Sequence, residues 1–335
     1  MSDPVLSIRN LTVEIPTRHG ILRPVSGVSY DINEGEILGV VGESGAGKSM
    51  AGNAVIGLLN RPAHIASGEI YVRGTRIDQL RGDAMRKLRG KDIGMVFQDP
   101  LTSLNPLLRI GDQLTETMLA HLGISRAEAD QRAVAALEEV GIPGAADRVN
   151  SYPHEFSGGM RQRVVIALAL CAEPSLIIAD EPTTALDVSV QAQIIALLKR
   201  LCRDRGTAVM LITHDMGVIA EAADRVAVMY AGQLAELGPV REVITAPHHP
   251  YTDGLMGSTP LASRSKTRQT QSGGKARLQQ IPGAMPRLDA LPDGCAFHPR
   301  CPHVQDACLR APGPRIDDGA GRAACLFPLK REGLA

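Results

Sequence analysis

No charge surplus of either sign marks this 335-residue sequence, in which Lys plus Arg and Asp plus Glu both total 36. Sequence-independent nucleic-acid binding draws on a basic excess that neutralises phosphates, so the balance argues against nucleic acid as a partner, local patches aside. Also missing is an apolar run of about 18 residues or more, which a membrane-spanning helix requires. The longest candidate, Val164 to Ala172, is too short. The start, Met1 to Pro4, is acidic and polar and lacks the basic-then-apolar pattern of a secretory signal. The chain is therefore expected in the cytosol, reaching a membrane only through an embedded partner. The last fifth holds four of the six cysteines, yet no C-x₂₋₄-C pair of the kind that structural zinc sites favour.

What is present suits a soluble globular protein with a core: 44% hydrophobic and 21% charged residues. Leu6, Ile8, Leu11, Val13 and Ile15 alternate as one or two strands. Glu36 to Val41 reads as a strand covered on both faces, and it opens directly into a glycine-rich turn. Beyond the turn, Val55, Ile56, Leu58 and Leu59 have helical spacing. From about Asp99 to Cys171 the pattern is predominantly helical, clearest over Ala127 to Val140, and predicts a separate lobe. Strand signals return at Leu176 to Ala179, Ala208 to Ile212 and Val226 to Met229. Between the first two, Ile194, Leu197, Leu198 and Leu201 mark a helix ending near Gly206. This alternation predicts an α/β domain with a mostly parallel sheet.

After about Thr259 the composition shifts. Ser263 to Lys275 is polar and reads as a linker. The remainder is rich in Pro and Gly, has little apolar periodicity, and cannot build a core unaided, which makes a metal staple physically reasonable. The expected organisation is a domain over 1–258 with a helical lobe at about 99–172, a linker over 259–280, and an extension over 281–335.

Gly42, Glu43, Ser44, Gly45, Ala46, Gly47, Lys48 and Ser49 fit G-x-x-x-x-G-K-[ST] between a predicted strand and a predicted helix, the context that distinguishes a P-loop from a chance glycine turn. Its glycines let backbone N–H groups wrap phosphates, Lys48 brings charge to the outer phosphates, and the Ser49 hydroxyl can bind Mg²⁺. Leu176 to Glu181 is an apolar strand ending in two acids. Asp180 is placed to hold Mg²⁺, directly or through water, and Glu181 to orient or deprotonate the attacking water. Adjacent carboxylates alone commonly form a solvated strand end; after a P-loop they point to nucleotide hydrolysis.

Those features would equally serve a kinase or a GTPase. Phe156 to Gln162, with Ser157, Gly158 and Gly159 opening an apolar helix, makes a second anion-binding surface on one chain. It resembles the signature motif of the ABC ATPases. The resemblance implies the fold of that family: a RecA-like core sheet, an N-terminal antiparallel β lobe and a helical subdomain. It also implies a head-to-tail dimer in which Ser157, Gly158 and Gly159 cover the ATP held by the opposing P-loop. Gln98 resembles the Q-loop glutamine that contacts Mg²⁺ and senses the γ-phosphate. Ala185, Leu186 and Asp187 resemble the D-loop, and His214 the switch histidine at the γ-phosphate, although a lone histidine is more often an ordinary hydrogen-bonding residue. The likeness spans roughly residues 5 to 240. One departure stands out: Thr17 to Pro24 holds no aromatic residue to stack on adenine, leaving His19, Ile21 or Tyr30 as substitutes.

Cys295, Cys301, Cys308 and Cys325 are separated by five, six and sixteen residues. Four thiolates can hold an iron–sulfur cluster or zinc, or remain reduced thiols. The surroundings, Ile281 to Pro286, Gly294 to Cys301 and His249 to Thr252, resemble the C-terminal extension of oligopeptide and dipeptide importer ATPases, which implies a [4Fe–4S] cluster on the four cysteines. Cys171 and Cys202 are expected in the core. The same resemblance implies an importer with a second, often non-identical, ATPase subunit, two permease subunits and a solute-binding protein. The chain would then lie peripherally on the cytoplasmic face of the inner membrane. Pro100 to Pro106 lies where such subunits meet the permease. Competing readings are an importer for nickel chelates or haem, an ABC ATPase acting on ribosomes or DNA, and an exporter.

Overall fold

The computed structural model describes residues 3–184, 186–258, 280–316 and 322–329. Of the expected linker, 259–279 lies outside the described residues, as does Ala185. The chain forms two compact units, each assembled from separate stretches of sequence.

The first unit takes in Met1–Leu6, Ile32–Ile37 and Tyr71–Ile212. Three of its strands are parallel neighbours: Ile93–Val96, Leu176–Asp180 and Ala208–Ile212. Leu176 lies opposite Ile93 on one side and Ala208 on the other, and Asp180 lies opposite Ile212. Every residue of Leu176–Asp180 and Ala208–Ile212 is buried, hence their near-continuous apolar sequences. Ile93–Val96 gave no such signal because Gly94 interrupts it. A Cβ there would lie 2.4 Å from the Ala169 carbonyl oxygen, so close packing demands the glycine.

The segment expected to be helical contains Ile110–His121, Arg126–Glu139 and Gly158–Leu170 as its long helices. The hydroxyl of Ser125 accepts the Glu128 N–H and caps the second of these. Arg126–Asp130 and Arg132–Glu128 pairs, one turn apart, support it further. Val188–Arg205 ends at Gly206, whose left-handed backbone stops the helix where the sequence predicted. Cys171 and Cys202 are buried.

The second unit takes in Ser7–Asp31, Leu38–Ile70 and Thr213–Ala335. Ile37–Val41 runs parallel to Arg225–Tyr230, with Leu38 opposite Arg225 and Val41 opposite Val228. Gln233–Pro239 continues antiparallel, with a register shift between Leu234 and Glu236. Leu6–Thr17 is a single strand lying between Gly20–Ile32 and His64–Val72. The helix after the glycine-rich turn is shorter than its apolar spacing predicts, running only over Lys48–Val55. Gly57 takes φ +66, its N–H bonds to the Ala54 carbonyl, and the Leu58 N–H bonds to that of Asn53. This Schellman arrangement closes the helix, leaving Leu58 and Leu59 beyond it.

The C-terminal extension is fastened by packing. Phe297, buried, meets Tyr230 edge-on at 5.2 Å and Tyr251 at 5.4 Å, and the two tyrosine rings lie 4.6 Å apart. Such pairs contribute about 1 kcal/mol each beyond their buried area. Farther along, the Ala324 N–H donates to the Ala235 carbonyl and the Leu237 N–H to that of Arg322. Arg322 pairs with Glu242.

His249 sits within this seam, buried, with its Nδ1 accepting the Tyr251 N–H at 3.0 Å. Burial pushes its pKa from 6.5 down to about 4. Between those values the unfolded chain binds a proton that the folded chain does not. The stabilisation is therefore complete above about pH 6.5 and lost as pH falls towards 4. From pH 7 to pH 5 the loss is about 2 kcal/mol. Glu236, whose carboxylate accepts the His248 and His249 backbone N–H groups, is shifted upward by burial, and its contribution weakens as pH rises. The two are separated by comparing variants: His249→Gln is expected to flatten the fall in Tm between pH 7 and pH 5. Identical slopes in wild type and variant would exclude His249 as the source.

Candidate functional site

In the second unit, Gly42 to Ser49 join the buried strand Ile37–Val41 to the helix Lys48–Val55. Two of the glycines are dictated by close approach. A Cβ on Gly42 would lie 2.2 Å from the Met229 carbonyl oxygen, and one on Gly47, at φ +100, would lie 1.9 Å from that of Pro24. Lys48 is buried, and its ammonium donates to the Gly42 carbonyl at 2.8 Å and the Glu43 carbonyl at 3.1 Å. The loop thus holds a cation against its own backbone. No side chain caps the helix that follows, whose N-terminus adds partial positive charge. Ser44, Gly45 and Ser49 are exposed, whereas Ala46 is buried.

His214, in the same unit, is exposed on the bend between Ala208–Ile212 and the helix Met216–Ala222. Asp215 fixes that bend: its carboxylate accepts the Gly217 N–H at 2.7 Å, and its N–H donates to the Thr213 hydroxyl at 3.1 Å. Of the substitutes for an adenine-stacking aromatic, Tyr30 is fully buried and cannot meet a base. His19 and Ile21 are exposed.

The first unit carries the acids. Asp180 ends its strand and is buried, while Glu181 follows in a left-handed conformation at φ +47, its N–H bonded to the Ile212 carbonyl. The Glu181 Oε2 accepts two hydrogen bonds, from the Gln98 amide at 3.1 Å and from the Thr184 hydroxyl at 2.8 Å. Gln98 and Glu181 are thus direct partners across 83 positions of sequence. Thr184 was not singled out from sequence, although it follows the acid pair by three residues. Ser157 caps the helix Gly158–Leu170 by accepting the Met160 N–H. Ser157 and Gly158 are exposed, and Gly159 is half-buried against Val190, which a Cβ would approach to 2.8 Å. Asp187 caps Val188–Arg205 by accepting the Val190 N–H at 2.9 Å.

Of the residues expected from sequence to bind Mg²⁺, Ser49 is exposed in the second unit, while Gln98 and Asp180 belong to the first. All three carry hard oxygen donors of the kind this ion takes, and Asp180 is held rigidly at the end of a buried strand.

The tail cysteines correct the expectation drawn for them. Cys295, Cys301, Cys308 and Cys325 do border one hollow, together with His249, His298 and His303. Yet among the described residues no three His, Cys, Asp or Glu side chains are grouped so that they could hold a metal ion. All four are free cysteines. The metal staple does not hold, and aromatic packing fastens the extension in its stead.

Two stretches that sequence reasoning left out of the site reach the glycine-rich loop. The Tyr251 hydroxyl accepts the Glu43 N–H at 3.0 Å, and the Arg300 guanidinium donates to the Glu43 carboxylate at 3.0 Å. Both residues lie within segments already noted for their likeness to importer subunits.

Comparison with known proteins agrees in both halves of the sequence. The family model described as "ABC transporter" matches residues 25–184, and that described as "Oligopeptide/dipeptide transporter, C-terminal region" matches 235–308. The chain is 46% identical to the dipeptide transport ATP-binding protein DppD of Bacillus subtilis, over 98% of this chain and 96% of that protein. It is 45% identical to the oligopeptide transport ATP-binding protein OppD of Salmonella typhimurium, over 97% and 94%. Both descriptions name transport ATP-binding proteins. Among solved structures, a dimeric ATP-binding cassette bound to ADP and Pi matches with a TM-score of 0.63 at 31% identity, covering 70% of this chain and 99% of that one.

Proposed function

This chain belongs to the ABC transporter family, and from that membership we propose that it is the ATP-hydrolysing subunit of an importer for dipeptides or oligopeptides. It hydrolyses ATP to power transport, and it works as a dimer of cassettes attached to membrane permeases. The observation that carries the enzymatic reading is the Glu181 carboxylate, oriented by the Gln98 amide and the Thr184 hydroxyl. The peptide cargo is supported by the near end-to-end likeness to dipeptide and oligopeptide transport subunits, which includes the C-terminal region.

In this reading the backbone of Gly42 to Gly47 wraps the phosphates of ATP, and Lys48 moves its ammonium from the loop carbonyls to the outer phosphates. Glu181 orients a water molecule and takes its proton as the water oxygen bonds to the γ-phosphorus and the bond to the ADP oxygen breaks. His214 helps position the γ-phosphate. Ser157, Gly158 and Gly159 cover the nucleotide held by the opposing cassette. Mg²⁺, when bound with ATP, neutralises phosphate charge, and Ser49, Gln98 and Asp180 would hold it.

The finer assembly is a non-identical cassette partner, two permeases and a solute-binding protein, with this chain peripheral on the cytoplasmic face of the membrane. Among the described residues no helix is long and apolar enough to cross a bilayer. Phe97, Leu107 and Leu108 are exposed apolar residues flanking Pro100 to Pro106, which suits a permease contact there. Leu107, 82% exposed, is the most direct probe. Leu107→Asp is expected to leave ATP affinity as in wild type and to reduce co-purification with the permeases about tenfold. Undiminished co-purification would move the contact elsewhere.

The function itself is tested by uptake. Cells whose only copy carries Lys48→Ala should lose accumulation of labelled dipeptides or oligopeptides. Intact peptide uptake with loss of nickel-chelate or haem uptake would replace the peptide reading.

A further inference from the structure

We propose that the C-terminal extension is a working part of the nucleotide site: Arg300 grips Glu43 of the phosphate-binding loop and so sets the loop's fit to ATP. The proposal rests on the ATP-binding reading above and adds a positioning residue to it.

Arg300 is 8% exposed, and its guanidinium is aimed by the extension's own backbone. Its Nε donates to the Pro282 carbonyl at 2.8 Å, and Nη2 to that of Gly283 at 3.4 Å. The remaining branch, Nη1, reaches the Glu43 carboxylate at 3.0 Å and the Tyr230 hydroxyl at 3.4 Å. A guanidinium fixed in this way loses little freedom on pairing, unlike a surface ion pair between two mobile side chains.

The grip falls where it affects phosphate binding. Glu43 is held twice, by Arg300 through its carboxylate and by the Tyr251 hydroxyl through its N–H. Its carbonyl is also one of the two oxygens on which the Lys48 ammonium rests. A shift of Glu43 therefore displaces one of the two carbonyls on which the loop's cation rests. The extension touches the loop a second time at its tip, where the Met285 methyl lies 3.2 Å from the position of a Cβ on Gly45. A staple serving stability alone has no reason to end on the loop's second residue.

The test uses the full-length chain, with Mg²⁺-ATP and Mg²⁺-ADP affinities and the nucleotide-free Tm measured side by side. Arg300→Met is expected to weaken ATP binding about tenfold. Arg300→Lys, which keeps the charge but loses the fork, should recover part of that loss. Glu43→Gln, which removes the same pair without leaving a hole, should shift affinity in the same direction. In the Glu43→Gln background, Arg300→Met should add less than about twofold, since the two act as one unit. A lowered Tm with unchanged ATP affinity in Arg300→Met would overturn the proposal, as would additive losses in the double variant. Wild-type chain that binds ATP while Lys48→Ala does not keeps the nucleotide reading standing under either result. Wild-type chain that binds no ATP would sink that reading first.

Discussion

Glu181→Gln is expected to cut ATP turnover about a thousandfold while ATP still binds. The substitution keeps the side chain's length and shape. The Gln98 amide and the Thr184 hydroxyl, which both donate to Oε2 of the acid, can still donate to the carbonyl oxygen of a glutamine. What is lost is the negative charge and the lone pair that takes a proton from water. The effect should therefore lie almost wholly in the chemical step, with nucleotide affinity near that of wild type. Phosphate release by the assembled transporter, measured beside nucleotide affinity, separates the two. Turnover within about tenfold of wild type would remove Glu181 from the base role.

Gly47→Ala should act at the opposite stage, on binding. The added methyl carbon would lie 1.9 Å from a backbone oxygen, that of Pro24, so no rotamer change relieves the clash. The backbone at φ +100 is itself poorly accessible to alanine. Since Gly47 is the N-cap of the helix that begins with Lys48, the shift moves the lysine and the helix N-terminus together. ATP affinity is expected to fall about a hundredfold or more. Titration of the folded variant with Mg²⁺-ATP gives the answer, provided circular dichroism confirms that the fold survives. Wild-type affinity would mean that the loop wraps phosphate in some other conformation.

What could be read in the sequence depended on how locally each feature is encoded. Leu176–Asp180 and Ala208–Ile212 were legible because burial on both faces leaves only apolar residues to write them with. Gly20–Ile32 and His64–Val72 were not, since their burial is uneven and their sequences mix glycine, charge and apolar residues. Ile93–Val96 was hidden by a glycine that packing requires. The glycine-rich loop, the acid pair and the serine–glycine helix start are contiguous motifs, and they could be located without a fold. The contacts of Tyr251 and Arg300 with Glu43 span 208 and 257 residues, and no spacing rule reaches that far. The cysteines failed in the other sense. Their number suggested ligands, but ligation depends on how the side chains are grouped in space, which a list of positions does not contain.

The backbone of Glu181 carries a consequence of its own. At φ +47 it adopts a bend that glycine or asparagine takes more comfortably than glutamate, at a cost of about 1 kcal/mol to the longer residue. Thermal robustness and catalysis therefore pull this one position in opposite directions. With Glu181 as the proposed base, a copy of the fold freed from hydrolysing nucleotide would become sturdier by giving the acid up.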